Sequence, residues 1–163
     1  MQGIVFTELL GWIGGETVRY ERWFATQPAS VWSAPAGSGR IATVRDLLYH
    51  TYLVDLRYGQ RVNGLAVSSY EDEAVAEPML LFPLARRGQE LLATALTGDR
   101  DLSEVLTFPT LSAGIQQASK RKIIAHSLTH HVRHLAQVAT LLRQAGHATD
   151  WPHDLLFSDA ISP

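Results

Sequence analysis

Four of the chain's seven histidines fall inside AHSLTHHVRHLAQ, at His126, His130, His131 and His134. In a helix, steps of four residues advance only about 40°, so His126, His130 and His134 share one stripe while His131 points about 100° away from His130. Imidazoles crowded this way repel when protonated. They are tolerated most easily when neutral and sharing a cation, so the segment predicts a metal site. A partly exposed polar seam is the plain alternative.

Two histidines at i and i+4 can hold one ion but cannot complete its shell, and a third ligand must come from another element. His50 is the candidate, because the periodicity of Leu47, Thr51, Val54 and Tyr58 places it on the inward side of a different helix. Three nitrogen ligands leave coordination positions open to water or substrate, as catalytic sites require. Spacing alone leaves open whether the pair is His126 with His130 or His130 with His134. Gln137, one turn beyond His134, is placed to orient a ring or a bound water. His147 and His153 lie near a helix end and in the tail, where capping or exposure is expected.

The elements that must carry these residues are legible from periodicity and caps. Helices are predicted from Phe6 to Phe24, from about Thr43 to Val62, from Pro78 or Leu84 to Leu96, and from Lys120 to Gln144. Thr43 with Asp46 forms a capping box, Ser119 caps the last helix, and Asn63-Gly64, Gly98 and Gly146 mark helix ends. Residues 25–40 read as a connection pinned by Trp32, and residues 65–77, with Glu71, Asp72, Glu73 and Glu77, as a solvated acidic loop. EVLTFPTLSAGI, broken by Pro109 and Gly114, fits either a short hairpin or an irregular crossover. The fold class expected is all-α: one domain over residues 1–163, an antiparallel four-helix bundle with a long crossover before the last helix.

Composition narrows the function. The 163 residues are 46% apolar and 18% charged, ordinary for one globular domain. Fourteen basic and sixteen acidic side chains leave a net charge of −2, too weak a field for nucleic acid or an anionic membrane. With no cysteine there are no disulfides, no thiolate ligands and no cysteine nucleophile, so any metal is held by nitrogen and oxygen. No signal peptide or membrane-spanning run is seen, which makes a soluble cytoplasmic protein the expectation.

RDLLYHTYLVDLRYGQRVNG and HSLTHHVRHLAQVATLLRQAG, with the later WPHDLL, resemble the DinB family of DinB and YfiT proteins. The second segment is similar to that family's C-terminal His-x-x-x-His-x-x-Gln helix. The resemblance implies metal ligands at His50, His130 and His134, with Gln137 as the glutamine and His126 at the histidine often found one turn earlier. It also implies a homodimeric four-helix bundle holding a divalent metal, zinc or nickel, with iron or copper also suited to nitrogen ligands. Leu135 and Thr129 depart from the pattern, standing where arginine and asparagine are frequent.

The activity that the resemblance implies is a metal-dependent thiol S-transferase acting on a small-molecule substrate with a low-molecular-weight thiol such as bacillithiol or mycothiol. One of the polar groups nearby, Gln137, Arg133 or Asp55, is expected to position that substrate. One alternative is a metal-dependent hydrolase, which needs a carboxylate base from Asp46 or Asp55. The other is a non-enzymatic, dimeric metal-binding or stress-associated protein whose ion stabilises the fold.

Overall fold

The computed structural model describes residues 4–73, 75–110 and 113–161. Four long helices carry most of the chain: α1 (Phe6–Phe24), α2 (Val44–Val62), α3 (Leu81–Thr97) and α4 (Lys120–Gln144). Between the last two lies an antiparallel hairpin of β1 (Val105–Pro109) and β2 (Ile115–Ser119), with Val105 opposite Ser119 and Pro109 opposite Ile115. The fold is therefore mostly helical with a small two-stranded sheet, so all-α is too narrow a description. The β-branched and aromatic stretch Val105–Phe108 takes the strand form, and the chain reverses near Gly114, whose φ of +66° suits a residue without Cβ.

The predicted caps set the register of the site-bearing helices. Thr43 accepts from the Asp46 N–H at 3.2 Å, and the Asp46 carboxylate returns to the Thr43 N–H at 2.9 Å, fixing the start of α2 seven residues before His50. Ser119 accepts from the Lys122 N–H at 3.2 Å at the head of α4. That helix ends in a Schellman arrangement, with Gly146 at φ +83° and the His147 N–H on the Leu142 carbonyl. A 3-10 turn at Pro78–Leu80 leads into α3, and Pro83 is accommodated in its first turn, where no intrahelical N–H is needed. Gly98 stops α3 with an ordinary φ of −78°.

Helix α2 packs on both α3 and α4, and α1 packs on the same two. The α2–α3 approach is close: a Cβ at Gly88 would stand 2.7 Å from the Leu56 backbone nitrogen. One apolar cluster gathers Tyr20, Phe24, Trp32, Tyr52, Phe82 and Leu135; a second gathers Ile13, Leu92, Phe108, Ile123 and Leu128. Trp32 pins the first connection as expected, its ring stacked 4.0 Å from that of Phe24. Along α4 the histidines at 130, 131 and 134 fall between Leu128 of one cluster and Leu135 of the other. The polar residues are thus set in a frame that apolar packing fixes on both sides.

Candidate metal centre

His50 projects from α2, and His130 and His134 from successive turns of α4, so that their Nε2 atoms converge. The His130 and His134 Nε2 atoms are 3.0 Å apart, and those of His50 and His130 are 3.2 Å apart. Ligand atoms of all three lie within 4.8 Å of one another, a group that could hold a metal ion. Nitrogens bound at ~2.0–2.1 Å to one cation sit roughly 2.9–3.4 Å apart at right-angled or tetrahedral bond angles. The His130–His134 and His50–His130 separations match that spacing.

The electrostatics fit the same donor set. Burial, followed by the charges of His134, Arg40 and Arg133, lowers the His50 pKa to about 4. Burial, then neighbouring His134 and His50, lowers His130 to about 2. His134 is also lowered, mainly by burial and against the opposing effect of its hydrogen bond to Gln137. All three rings are therefore neutral near pH 7, with lone pairs free of protons. His134 Nδ1 lies 2.5 Å from Gln137 Oε1, an acceptor, so Nδ1 carries the hydrogen and Nε2 carries the lone pair. At most one proton can sit between each facing pair of nitrogens. A shared cation would engage all three lone pairs at once.

Other histidines take different places. His126 stands exposed one turn before His130, its ring 5.5 Å from and perpendicular to that of Tyr58, outside the convergent group. Between the two pairings that spacing left open, the geometry selects His130 with His134. His131 is fully buried on another face and its Nδ1 meets Asp55 Oδ2 at 2.5 Å; Ser127 Oγ donates to Asp55 Oδ1 at 2.6 Å. This buried bridge ties α4 to α2 one helical face away from the converging nitrogens. His153 is not simply exposed: its Nδ1 lies 2.6 Å from Glu16, a carboxylate only 3% exposed that also accepts from Trp151 Nε1 at 3.2 Å.

Neither carboxylate that a hydrolase would need is free. Asp55 is consumed by Ser127 and His131, and Asp46 by the cap of α2. Of the polar groups expected to position substrate, Arg133 lines the cavity beside the histidines, Gln137 holds His134, and Asp55 faces away. That cavity, of about 450 Å³, opens against His50 and His130 and is walled by Arg57, Arg61, Tyr58 and Tyr70 among others. Tyr70 comes from the loop read as solvated and acidic. Its Glu73 is in fact paired with Arg87 at 2.8 Å and receives Ser68 Oγ at 2.8 Å. The wall was missed because it draws on α2, a loop, β1 and α4, segments whose juxtaposition no local spacing encodes. Leu135, where arginine is frequent, is buried in the apolar core, and Thr129 is exposed with its hydroxyl on the Ala125 carbonyl.

No curated protein matches the chain. The family model described as DinB family matches residues 1–160 of the 163.

Proposed function

The chain belongs to the DinB family, and from that premise we propose that it is a divalent-metal-dependent enzyme of the thiol S-transferase type. His50, His130 and His134 hold the ion, zinc or nickel, and a low-molecular-weight thiol is the cosubstrate. The observation that carries this reading is the convergence of three neutral imidazoles, two of which, His50 and His130, line an open cavity. A bound divalent cation supplies Lewis acidity, which brings a thiol with a pKa near 8.5 into its nucleophilic form near pH 7. Gln137 keeps His134 in the tautomer that presents Nε2. The cavity gives substrate access to His50 and His130. In the transfer, the thiol proton leaves to solvent, sulfur bonds to the electrophilic carbon, and the leaving group departs with its electron pair. The sulfur arrives with the cosubstrate, consistent with a chain that has no cysteine.

A thiol is favoured over water because Asp46 and Asp55 are both engaged elsewhere, leaving hydrolysis without a base. The same reading takes the chain as a single antiparallel four-helix bundle domain with a long crossover, working as a cytoplasmic homodimer. No described helix is long and apolar enough to cross a membrane. The test is to load the protein with zinc or nickel and follow thiol consumption with a panel of thiols and alkylating electrophiles. Turnover that disappears in His130→Ala supports the proposal. Ester hydrolysis without thiol consumption would replace it with the hydrolase reading, and a metal-loaded protein inert in both assays would leave a structural ion.

A further inference from the structure

Arg57 and Arg61 from α2 and Arg133 from α4 line the cavity beside His50 and His130, and among the described residues no aspartate or glutamate lines it. Among the described residues none of the three is in an ion pair. The arginine–carboxylate pairs of the described residues are Arg19–Glu16, Arg86–Glu21 and Arg87–Glu73. Arg57 instead donates to the Ser68 carbonyl and lies 5.3 Å from the Tyr70 ring centroid. Arg61 lies over Phe108 at 4.5 Å and near Tyr58 at 5.7 Å. Arg133 Nη2 is 3.3 Å from His134 Nε2. Aromatic faces and a carbonyl thus fix the planes of two guanidiniums and leave N–H edges unused.

This arrangement is costly without a counter-charge. Arg57 and Arg61 are one turn apart on one helix face, where like charges repel, and both are half-buried. The pKa of Arg61 is lowered by burial and then by Arg57, which reports the same positive field. Of the chain's sixteen aspartates and glutamates, none of the described ones lines the cavity with these three cations. We propose that the cavity recognises a small organic dianion, a molecule carrying two carboxylate or phosphate groups, bound through Arg57, Arg61 and Arg133. Guanidiniums pair such groups through two parallel N–H bonds, and a volume of about 450 Å³ accommodates a metabolite-sized ligand but not a macromolecule. The proposal rests on the metal reading only for what the dianion does next: its reactive end meets the ion at His50 and His130. The anion preference itself does not need the ion.

Benzene-1,3-disulfonate, a dianion with little affinity for metals, is the probe, and its neutral disulfonamide is the control. Calorimetric titration of the metal-loaded protein is expected to register disulfonate binding that weakens with salt, and no disulfonamide binding. Arg61→Gln and Arg133→Gln each weaken it about tenfold, as expected for a lost charge-assisted hydrogen bond. Arg61→Lys loses less, and because Arg133 is exposed its variant folds even if the loss of Arg61 from Phe108 does not permit folding. Equal binding of the neutral control, or affinity unchanged in Arg133→Gln and Arg61→Lys, overturns the proposal. His130→Ala separates the two readings: it loses the metal yet keeps disulfonate binding. If the wild type holds no metal but its disulfonate affinity still depends on the arginines, the metal proposal fails and this one stands. Mercaptosuccinate binding more tightly than succinate only in the metal-loaded protein places the dianion on the thiol partner. Equal, arginine-dependent binding of the two places it on the electrophile.

Discussion

Gln137 is exposed, and its value to the protein lies in one contact, the amide oxygen that receives His134 Nδ1. Gln137→Ala is expected to weaken metal affinity by about 10- to 100-fold, read by competition with a chelator, because the ring loses its enforced tautomer and orientation. Unchanged affinity would show that the contact orients nothing. The histidines also set a pH dependence for the metal-free protein. Folding lowers His50 from 6.5 to about 4 and His130 to about 2, so the unfolded chain takes up protons first as the pH drops below 6.5. Stability is therefore full above about pH 6.5 and declines as acidification proceeds toward the folded values, so the urea midpoint should be lower near pH 5 than near pH 7. A midpoint that rises on acidification contradicts the sign. That His126, His130 and His134 share one face, with His50 inward on another helix, was legible from helical spacing, whereas the choice of His130 with His134 came from the family resemblance. The Asp55–Ser127–His131 bridge was legible from neither, because it depends on how α2 and α4 are rotated against each other.

The position of α2 relative to α3 sets where His50 can reach, and Gly59 and Gly88, which face each other's helices, set that position. A Cβ at Gly88 would meet the Leu56 nitrogen at 2.7 Å and the Asp55 Cβ at 3.1 Å, mostly rigid backbone rather than a flexible side-chain end. Gly88→Ala should destabilise the fold by about 1–3 kcal/mol in denaturant titration and loosen metal binding with it, since the shift is transmitted through α2. An alanine variant as stable as the wild type would mean that the helices part freely. Helix boundaries were the most legible part of the fold, because Thr43–Asp46, Ser119 and Gly146 satisfy the end groups of the helices by local rules. The hairpin was not resolved from an irregular crossover: Pro109 and Gly114 interrupt the strand pattern, and pairing is decided by the partner strand. Gly98 marks the end of α3 without adopting the left-handed conformation that a terminal glycine suggests.

The tail is tied back onto α1 through Glu16, which collects Trp151 Nε1, His153 Nδ1 and Arg19, while Tyr20 stacks on the His153 ring at 5.3 Å. Glu16→Ala leaves those donors without their buried acceptor and should cost roughly 2–4 kcal/mol in thermal or urea unfolding. A negligible change would mean the tail is held by its aromatic contacts alone. This connection joins residues more than 130 positions apart. For that reason the sequence suggested only capping or exposure for His153, and the cationic cavity was hidden in the same way. The bundle-like order of helices and the candidate ligand positions could be proposed because they follow from periodicity and from the family motif. The walls of the cavity could not, being assembled by the whole chain. The central claim is that three imidazoles from α2 and α4 share one divalent ion. Elemental analysis of protein purified without nickel chromatography, beside His130→Ala of verified fold, tests it most directly. One equivalent of divalent metal in the wild type and almost none in the variant is the predicted result; a metal-free wild type that takes up no added zinc or nickel, or a variant that keeps its full equivalent, would contradict it.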